Sequence, residues 1–159
     1  MKVAYGEDPS QYCELKTPRG KGPFPVAALF HGGFWRMKYG RKTMWLIALS
    51  LRRHGFATWN VEYRRIGAGG TGGWPMTLED CAAAMDLLAE RPEPLDLERV
   101  TTVGHSAGGH LSLWTAARHR LPAGAPGADP RVRPARAVSM AGCSDLDAIQ
   151  ALAGGGPSA

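Results

Sequence analysis

Gly104-His105-Ser106-Ala107-Gly108 spells G-x-S-x-G. A serine between small residues suits a turn so tight that the flanking positions admit no larger side chain, and such a turn lifts the hydroxyl above a sheet edge where a substrate carbonyl can reach it. The chemistry served is acyl transfer, in which the serine oxygen attacks and backbone N–H groups hold the charge developing on the carbonyl oxygen. The amide after the nucleophile, that of Ala107, is one such donor. Another comes from the loop after an earlier strand; His31-Gly32-Gly33-Phe34-Trp35 is such a segment, with Gly33 N–H as second donor and Phe34 N–H as a third candidate. Glycine there lets the backbone come close to the substrate.

A G-x-S-x-G alone says little in a chain with 21 glycines, so the surrounding elements decide. Pro25 to Phe30 is a short apolar run stopped by His31-Gly32-Gly33, as in a strand buried on both faces. From Tyr39 to Arg53 the residues Met44, Ile47, Ala48 and Leu51 trace one helical face, and Gly55 stands where a left-handed cap is wanted. Phe56 to Tyr63 reads as the next strand. Leu78, Cys81, Ala82 and Met85 trace a second helical face with Thr77 as its N-cap, and Arg91-Pro92-Glu93-Pro94 ends that helix. Val100 to Val103 is then a third strand running into the serine motif, Leu111 to His119 lies in a third helix, and Arg136 to Met140 is a fourth strand. Between them, Leu121 to Pro134 is a surface loop. Alternating strands and helices imply an α/β fold: a mostly parallel sheet with helices on both faces.

With 159 residues, 44% apolar and 21% charged, the chain is long enough for one domain with a real core. We read residues 1–159 as a single, partial domain. The net charge of +5 comes from scattered residues; Arg52-Arg53, Arg64-Arg65 and Arg131 to Arg136 are short and lack the interleaved aromatics of a single-strand binder, which argues against a nucleic-acid partner. No apolar run approaches the roughly 20 residues of a membrane span, and Met1 to Gln11 has no signal-peptide core, so the expectation is a cytoplasmic protein without a membrane partner. Cys13, Cys81 and Cys143 are odd in number and lack C-x-x-C spacing, which speaks against a disulfide framework or a zinc site.

The patterns His31-Gly32-Gly33-Phe34-Trp35, Val61-Glu62-Tyr63-Arg64 and Gly104-His105-Ser106-Ala107-Gly108-Gly109-His110 resemble the α/β-hydrolase superfamily, in the branch holding hormone-sensitive-lipase-like esterases and kynurenine formamidases. The resemblance covers residues 22 to 145. It implies that Ser106 is the nucleophile, that Gly33, Phe34 and Ala107 form the oxyanion hole, and that neither metal nor organic cofactor takes part. Phe34 replaces the last glycine of the lipase-like H-G-G-G form.

In that fold the triad follows in the order Ser, acid, His. After Ser106 the carboxylates are Asp129, Asp145 and Asp147, and the last histidine, His119, precedes all three. No triad Asp and His in this chain meet that order. His110 lies one helical turn past Ser106 and points along the helix, His119 sits near a helix end, and Asp145 reads as a helix cap. By likeness to the family, the acid and histidine loops follow two further strands, so the chain is expected to be C-terminally truncated. Among the other histidines, His31 is expected to order its own loop, His105 to fill a variable elbow position, and His54 to end a helix.

Gly67-Ala68-Gly69-Gly70-Thr71-Gly72 matches G-x-G-x-x-G, but Pro75 intervenes before a helix and Glu93 sits between prolines, so it reads as a loop at the pocket mouth with Trp74 as a wall. The leading expectation is a serine hydrolase of small-molecule esters or small amides, ahead of an arylformamidase. A non-catalytic binding module that keeps the elbow is the alternative from another class. The oligomeric state is not legible.

Overall fold

The computed structural model describes residues 1–152. The tail 153–159, on which the expectation of missing C-terminal strands turns, lies outside the described residues. Six strands form one sheet in the order β1-β2-β4-β3-β5-β6: β1 (Lys2–Ala4), β2 (Tyr12–Lys16), β3 (Phe24–Phe30), β4 (Ala57–Val61), β5 (Leu95–His105) and β6 (Arg136–Met140). The β4, β3, β5 and β6 strands run parallel, whereas β2 is antiparallel to both β4 and β1. The helices are α1 (Trp45–Arg53), α2 (Met76–Asp86), α3 (Ala107–Ala117) and α4 (Leu146–Leu152).

Alternate side chains of β3 point to opposite faces, as the two-residue period of a strand requires. Val26, Ala28 and Phe30 join Trp59, Val61, Val100, Cys81, Met85 and Leu111 on the side of α2 and α3. Ala27 and Leu29 pack with Val103 and Met44 on the other side, where Ile47, Ala48 and Leu51 of α1 close over them. The apolar run of β3 therefore serves two cores at once. Helix α1 ends as its sequence predicts: Gly55 has φ 89°, Phe56 N–H donates to Leu51 O at 3.1 Å and Gly55 N–H to Arg52 O at 3.2 Å, the paired bonds of a left-handed helix cap.

Two readings of the sequence need correction. Thr77 is not an N-cap, because α2 starts at Met76 directly after Pro75, whose fixed φ suits a helix start; Thr77 Oγ1 instead accepts from Gly73 N–H and donates to Arg64 O. The third helix, which begins at Ala107, stops at Ala117 rather than reaching His119, and a tighter turn follows over Arg118–Arg120. Arg118, the first residue of that turn, directs its buried guanidinium inward onto the Asp86 carboxylate at 2.7 and 3.0 Å and onto Gly127 O. The sheet is mostly parallel with helices on both faces, as the sequence implies, and the antiparallel strands β1 and β2 precede the parallel set.

The junction of these strands with α2 depends on another buried charge. The Asp80 carboxylate accepts from Arg64 N–H, Nε and Nη2 and from Gln11 Nε2, at 2.7–3.0 Å. Asp80 is 1% exposed, and removing one partner of a buried pair strands the others. Asp80→Ala should lower unfolding stability by about 3 kcal/mol, read from urea denaturation, while Asp8→Ala, at a nearby half-buried carboxylate without an ion-pair partner among the described residues, should lose less than about 1 kcal/mol.

Candidate functional site

All four parallel strands end at one edge of the sheet, and the loops that leave them carry the residues singled out above. In parallel sheets this carboxyl edge is where ligands bind. The register Phe30↔Gly104 sets the end of β3 beside the end of β5, so His31-Gly32-Gly33 and His105-Ser106-Ala107 emerge as neighbours.

Ser106 has φ 54° and ψ −121°, a left-handed strained backbone of the kind that concentrates at functional turns. The chain can make this turn because of what flanks it. A Cβ on Gly104 would lie 1.8 Å from Gly108 O, and one on Gly108 would lie 2.0 Å from Phe30 O. Helix α3 therefore begins directly against the end of β3, at a distance that only a hydrogen on the α-carbon permits. Around the turn, Ser106 N–H donates to Met140 O at 2.9 Å, and Ser106 O accepts from Gly109, His110 and Cys143 N–H. The turn is thus fixed from β6 and from the segment after it as well as from α3.

The amides proposed as donors are unengaged. Among the described residues, Gly33, Phe34 and Ala107 N–H make no hydrogen bond. Phe34 and Trp35 both hold positive φ, 50° and 56°, and this bent stretch is pinned from outside: Ile66 N–H donates to Trp35 O at 2.8 Å, Met37 N–H to Ile66 O at 3.0 Å and Arg36 N–H to Gly33 O at 2.9 Å. Thus the residues before Gly67-Ala68-Gly69-Gly70-Thr71-Gly72 brace the loop after β3. No dinucleotide-binding helix starts inside that glycine-rich stretch, and α2 begins only at Met76.

The His31 ring is fully buried. It lies 2.9 Å from Glu62 Oε1, 2.8 Å from Gly32 O, and stacks on Tyr63 at 4.2 Å between centroids. Burial pulls the Glu62 carboxyl upward, but the hydrogen bond and charge of His31, the Arg41 amide and Arg65 outweigh it and hold the carboxyl below its usual range. His31 does order its loop, and Glu62 and Tyr63 are the residues through which it does so.

A cavity of about 530 Å³ lies between the loop after β3, at Trp35, and α3, at His110. Trp35, Trp74 and Trp114 line it with Ile66, Leu78 and His110, so Trp74 is a wall as its sequence position predicts. His110 packs edge-on against Trp35 at 5.6 Å, and burial lowers its pKa. A wider hollow, about 740 Å³ around Pro18, Arg53 and Gly55, lies where β4 begins, away from the serine.

The Ser106 hydroxyl has one polar neighbour among the described residues, the Cys143 thiol at 3.6 Å. Sequence reasoning missed Cys143, since nothing in its spacing relates it to Ser106. Neither the His110 nor the His119 ring bonds to the Ser106 hydroxyl. His119 Nδ1 donates to Ala116 O, His54 Nδ1 to Ser50 O, and Asp145 Oδ1 caps α4 through Ala148 N–H. Among the described residues, no carboxylate or imidazole bonds to the Ser106 hydroxyl.

The three cysteines differ sharply. Cys13 and Cys81 are fully buried, and burial pushes both thiols well above their usual range, whereas Cys143 is half-exposed. Because the thiolate is the reactive form, N-ethylmaleimide should modify Cys143 at least about tenfold faster than the other two, as read by peptide mass mapping of the folded protein. Equal labelling of all three would contradict the packing described.

Comparison with known proteins places these features in a family setting. The BD-FAE family matches residues 14–152. Similar solved structures include the "Bacterial Heroin Esterase", 30% identical with a TM-score of 0.64 over 76% of this chain and 39% of that one. A putative thioesterase from Silicibacter sp. TM1040 is 23% identical with a TM-score of 0.71, over 93% of this chain and 51% of that one. Esterase B from Lactobacillus rhamnosis is 23% identical with a TM-score of 0.71, over 86% of this chain and 46% of that one. This chain thus spans at most about half the length of these three structures. No curated protein matches it.

Proposed function

The chain belongs to the BD-FAE family and has the α/β-hydrolase fold, and on that premise we propose that it serves the hydrolysis of carboxylic esters through an acyl-enzyme on Ser106. The observation that carries this reading is the positive-φ turn at Ser106 set beside a loop whose amides are free. The names of two of the similar structures, both esterases, support an ester over other acyl compounds.

In the proposed reaction Ser106 Oγ attacks the ester carbonyl carbon and gives up its proton. The carbonyl oxygen becomes an oxyanion that Ala107, Gly33 and Phe34 N–H stabilise before the alcohol leaves with a proton. Water then attacks the acyl-serine through a second oxyanion, releasing the acid and restoring the hydroxyl. Apolar portions of the substrate fit the tryptophan-lined cavity, which keeps water from the acyl carbon. Phe34 in place of a glycine keeps the N–H donor. Small amides, aryl formamides among them, follow the same course with a poorer leaving group.

A second reading is a module that binds acyl compounds without turning them over. It is favoured by one observation: no histidine accepts the Ser106 proton among the described residues. One experiment separates the two. Under the leading reading, a fluorophosphonate labels Ser106 alone, Ser106→Ala abolishes labelling, and that variant lowers p-nitrophenyl ester turnover by about 10⁴-fold or more. An aryl ester should also be turned over faster than the matching aryl formamide. Labelling elsewhere, or ester turnover unchanged in Ser106→Ala, would overturn the assignment.

A further inference from the structure

We propose that His31 is a buried imidazolium, held by Glu62, whose Nδ1–H fixes the Gly32 carbonyl and thereby aims Gly33 N–H at the oxyanion. His31 and Glu62 are in this view positioning residues. The assignment rests on the reading of Gly33 as an oxyanion donor, but the charge state of His31 stands on its own geometry.

Both ring nitrogens of His31 face acceptors. Nδ1 is 2.8 Å from Gly32 O, a carbonyl with no proton to give, and Nε2 is 2.9 Å from Glu62 Oε1. A neutral imidazole carries a proton on one nitrogen only, so either neutral form would set a bare lone pair against a bare oxygen. Tyr63 cannot relieve this, because its hydroxyl donates to His31 O at 2.7 Å and lies 3.4 Å from Nδ1. Nδ1 therefore carries a proton, and a second one lies between Nε2 and Glu62. Its side is decided by the other donors on that carboxylate. Arg41 N–H reaches Oε2 at 3.0 Å and the Arg65 guanidinium reaches Oε1 at 3.1 Å, which favour an ionised carboxylate and leave the proton on Nε2. Arg65 is the opposing charge on this group, and its cation is drawn off by Tyr39 O and Ser10 Oγ.

The orientation follows from the planar peptide. The Gly32–Gly33 bond is not among the cis bonds of the chain, so the Gly32 C=O and Gly33 N–H point in opposite directions. Holding that oxygen on His31 turns the N–H away from the imidazole. Gly32 itself is jammed against the elbow: a Cβ there would lie 2.7 Å from His105 O and 3.1 Å from Ser106 Cβ. The peptide whose direction His31 sets thus lies directly beside the serine, and a half-turn of this peptide would present a carbonyl lone pair where a donor is needed.

The test starts with the wild-type chain. Long-range ¹⁵N–¹H correlation spectra at neutral pH should show both His31 nitrogens protonated; a single bare nitrogen overturns the proposal whatever the enzyme assays give. Phosphonylation by a fluorophosphonate, in which the Ser106 oxygen displaces fluoride from phosphorus and HF is lost, should shift the Gly33 amide resonance. An unmoved Gly33 amide in a protein labelled at Ser106 overturns the aiming role alone. Glu62→Gln keeps the shape and removes the charge, and it should return His31 to one protonated nitrogen, slow Ser106 labelling by roughly tenfold to a hundredfold and leave KM for a p-nitrophenyl ester within about twofold. Glu62→Asp should recover part of that rate. If Glu62→Gln does not melt cooperatively, the two wild-type spectra decide. A folded Glu62→Gln labelled at the wild-type rate also refutes the aiming role, whereas failure of wild-type Ser106 to label at all counts against the esterase reading and leaves the imidazolium standing.

Discussion

The contact of Gly108 with the end of β3 is the constraint from which the rest of the site descends. Phe30 pairs with Gly104 across a parallel ladder, and α3 then starts so close to Phe30 O that only glycine fits. Two loops far apart in sequence, one carrying unengaged amides and one carrying a strained serine, are thereby locked side by side. A shift of one residue in that register would reverse the face of every side chain along the strand. Because β3 is buried on both sides, such a shift would also expose Leu29 or Phe30 to the wrong core, so the hydrophobic pattern guards the site geometry.

Around this contact the structure spends its buried charges on loops. Asp80 ties the segments before β2 and after β4 to α2, Arg118 and Asp86 join α2 to the turn after α3, and Glu62 gathers His31, Arg41 and Arg65 under the loop after β3. The Asp80 and Arg118–Asp86 pairs bridge segments that no regular hydrogen-bond ladder connects. Directional partners fix the orientation of such irregular backbone in a way that apolar packing alone does not. Part of the scattered basic charge of the sequence is thereby structural: Arg64, Arg65 and Arg118 are internal braces.

Much of this was legible in the chain itself. The run from Pro25 to Phe30 announced a strand buried twice, the spacing of Met44, Ile47, Ala48 and Leu51 announced the inner face of α1, and small residues around Ser106 announced the turn. These signals are local, set by one element's own period or by one turn's steric demand. The strand β1 was missed because it has only three residues, and β2 because only Cys13 and Leu15 alternate inward in it. Thr77 misled because a hydroxyl near a helix start has the same sequence signature whether it bonds the helix or the preceding loop. Cys143 beside Ser106, and the convergence of Glu62 on His31, depend on strands meeting at one edge, which no spacing along the chain records.

The tryptophans turn the molecule into its own optical gauge. Trp59 is sealed in the core with its indole N–H on Ala84 O, Trp45 stands open on α1, and Trp35, Trp74 and Trp114 crowd a single cavity. An indole in a dry interior emits at shorter wavelength than one in water, so the blue part of the emission belongs to Trp59 and follows the integrity of the sheet. The cavity trio and Trp45 contribute toward the red, and a molecule entering the cavity screens or quenches the trio while leaving Trp45 and Trp59 unchanged. Occupancy and unfolding therefore write separate signatures into one spectrum, without any added dye.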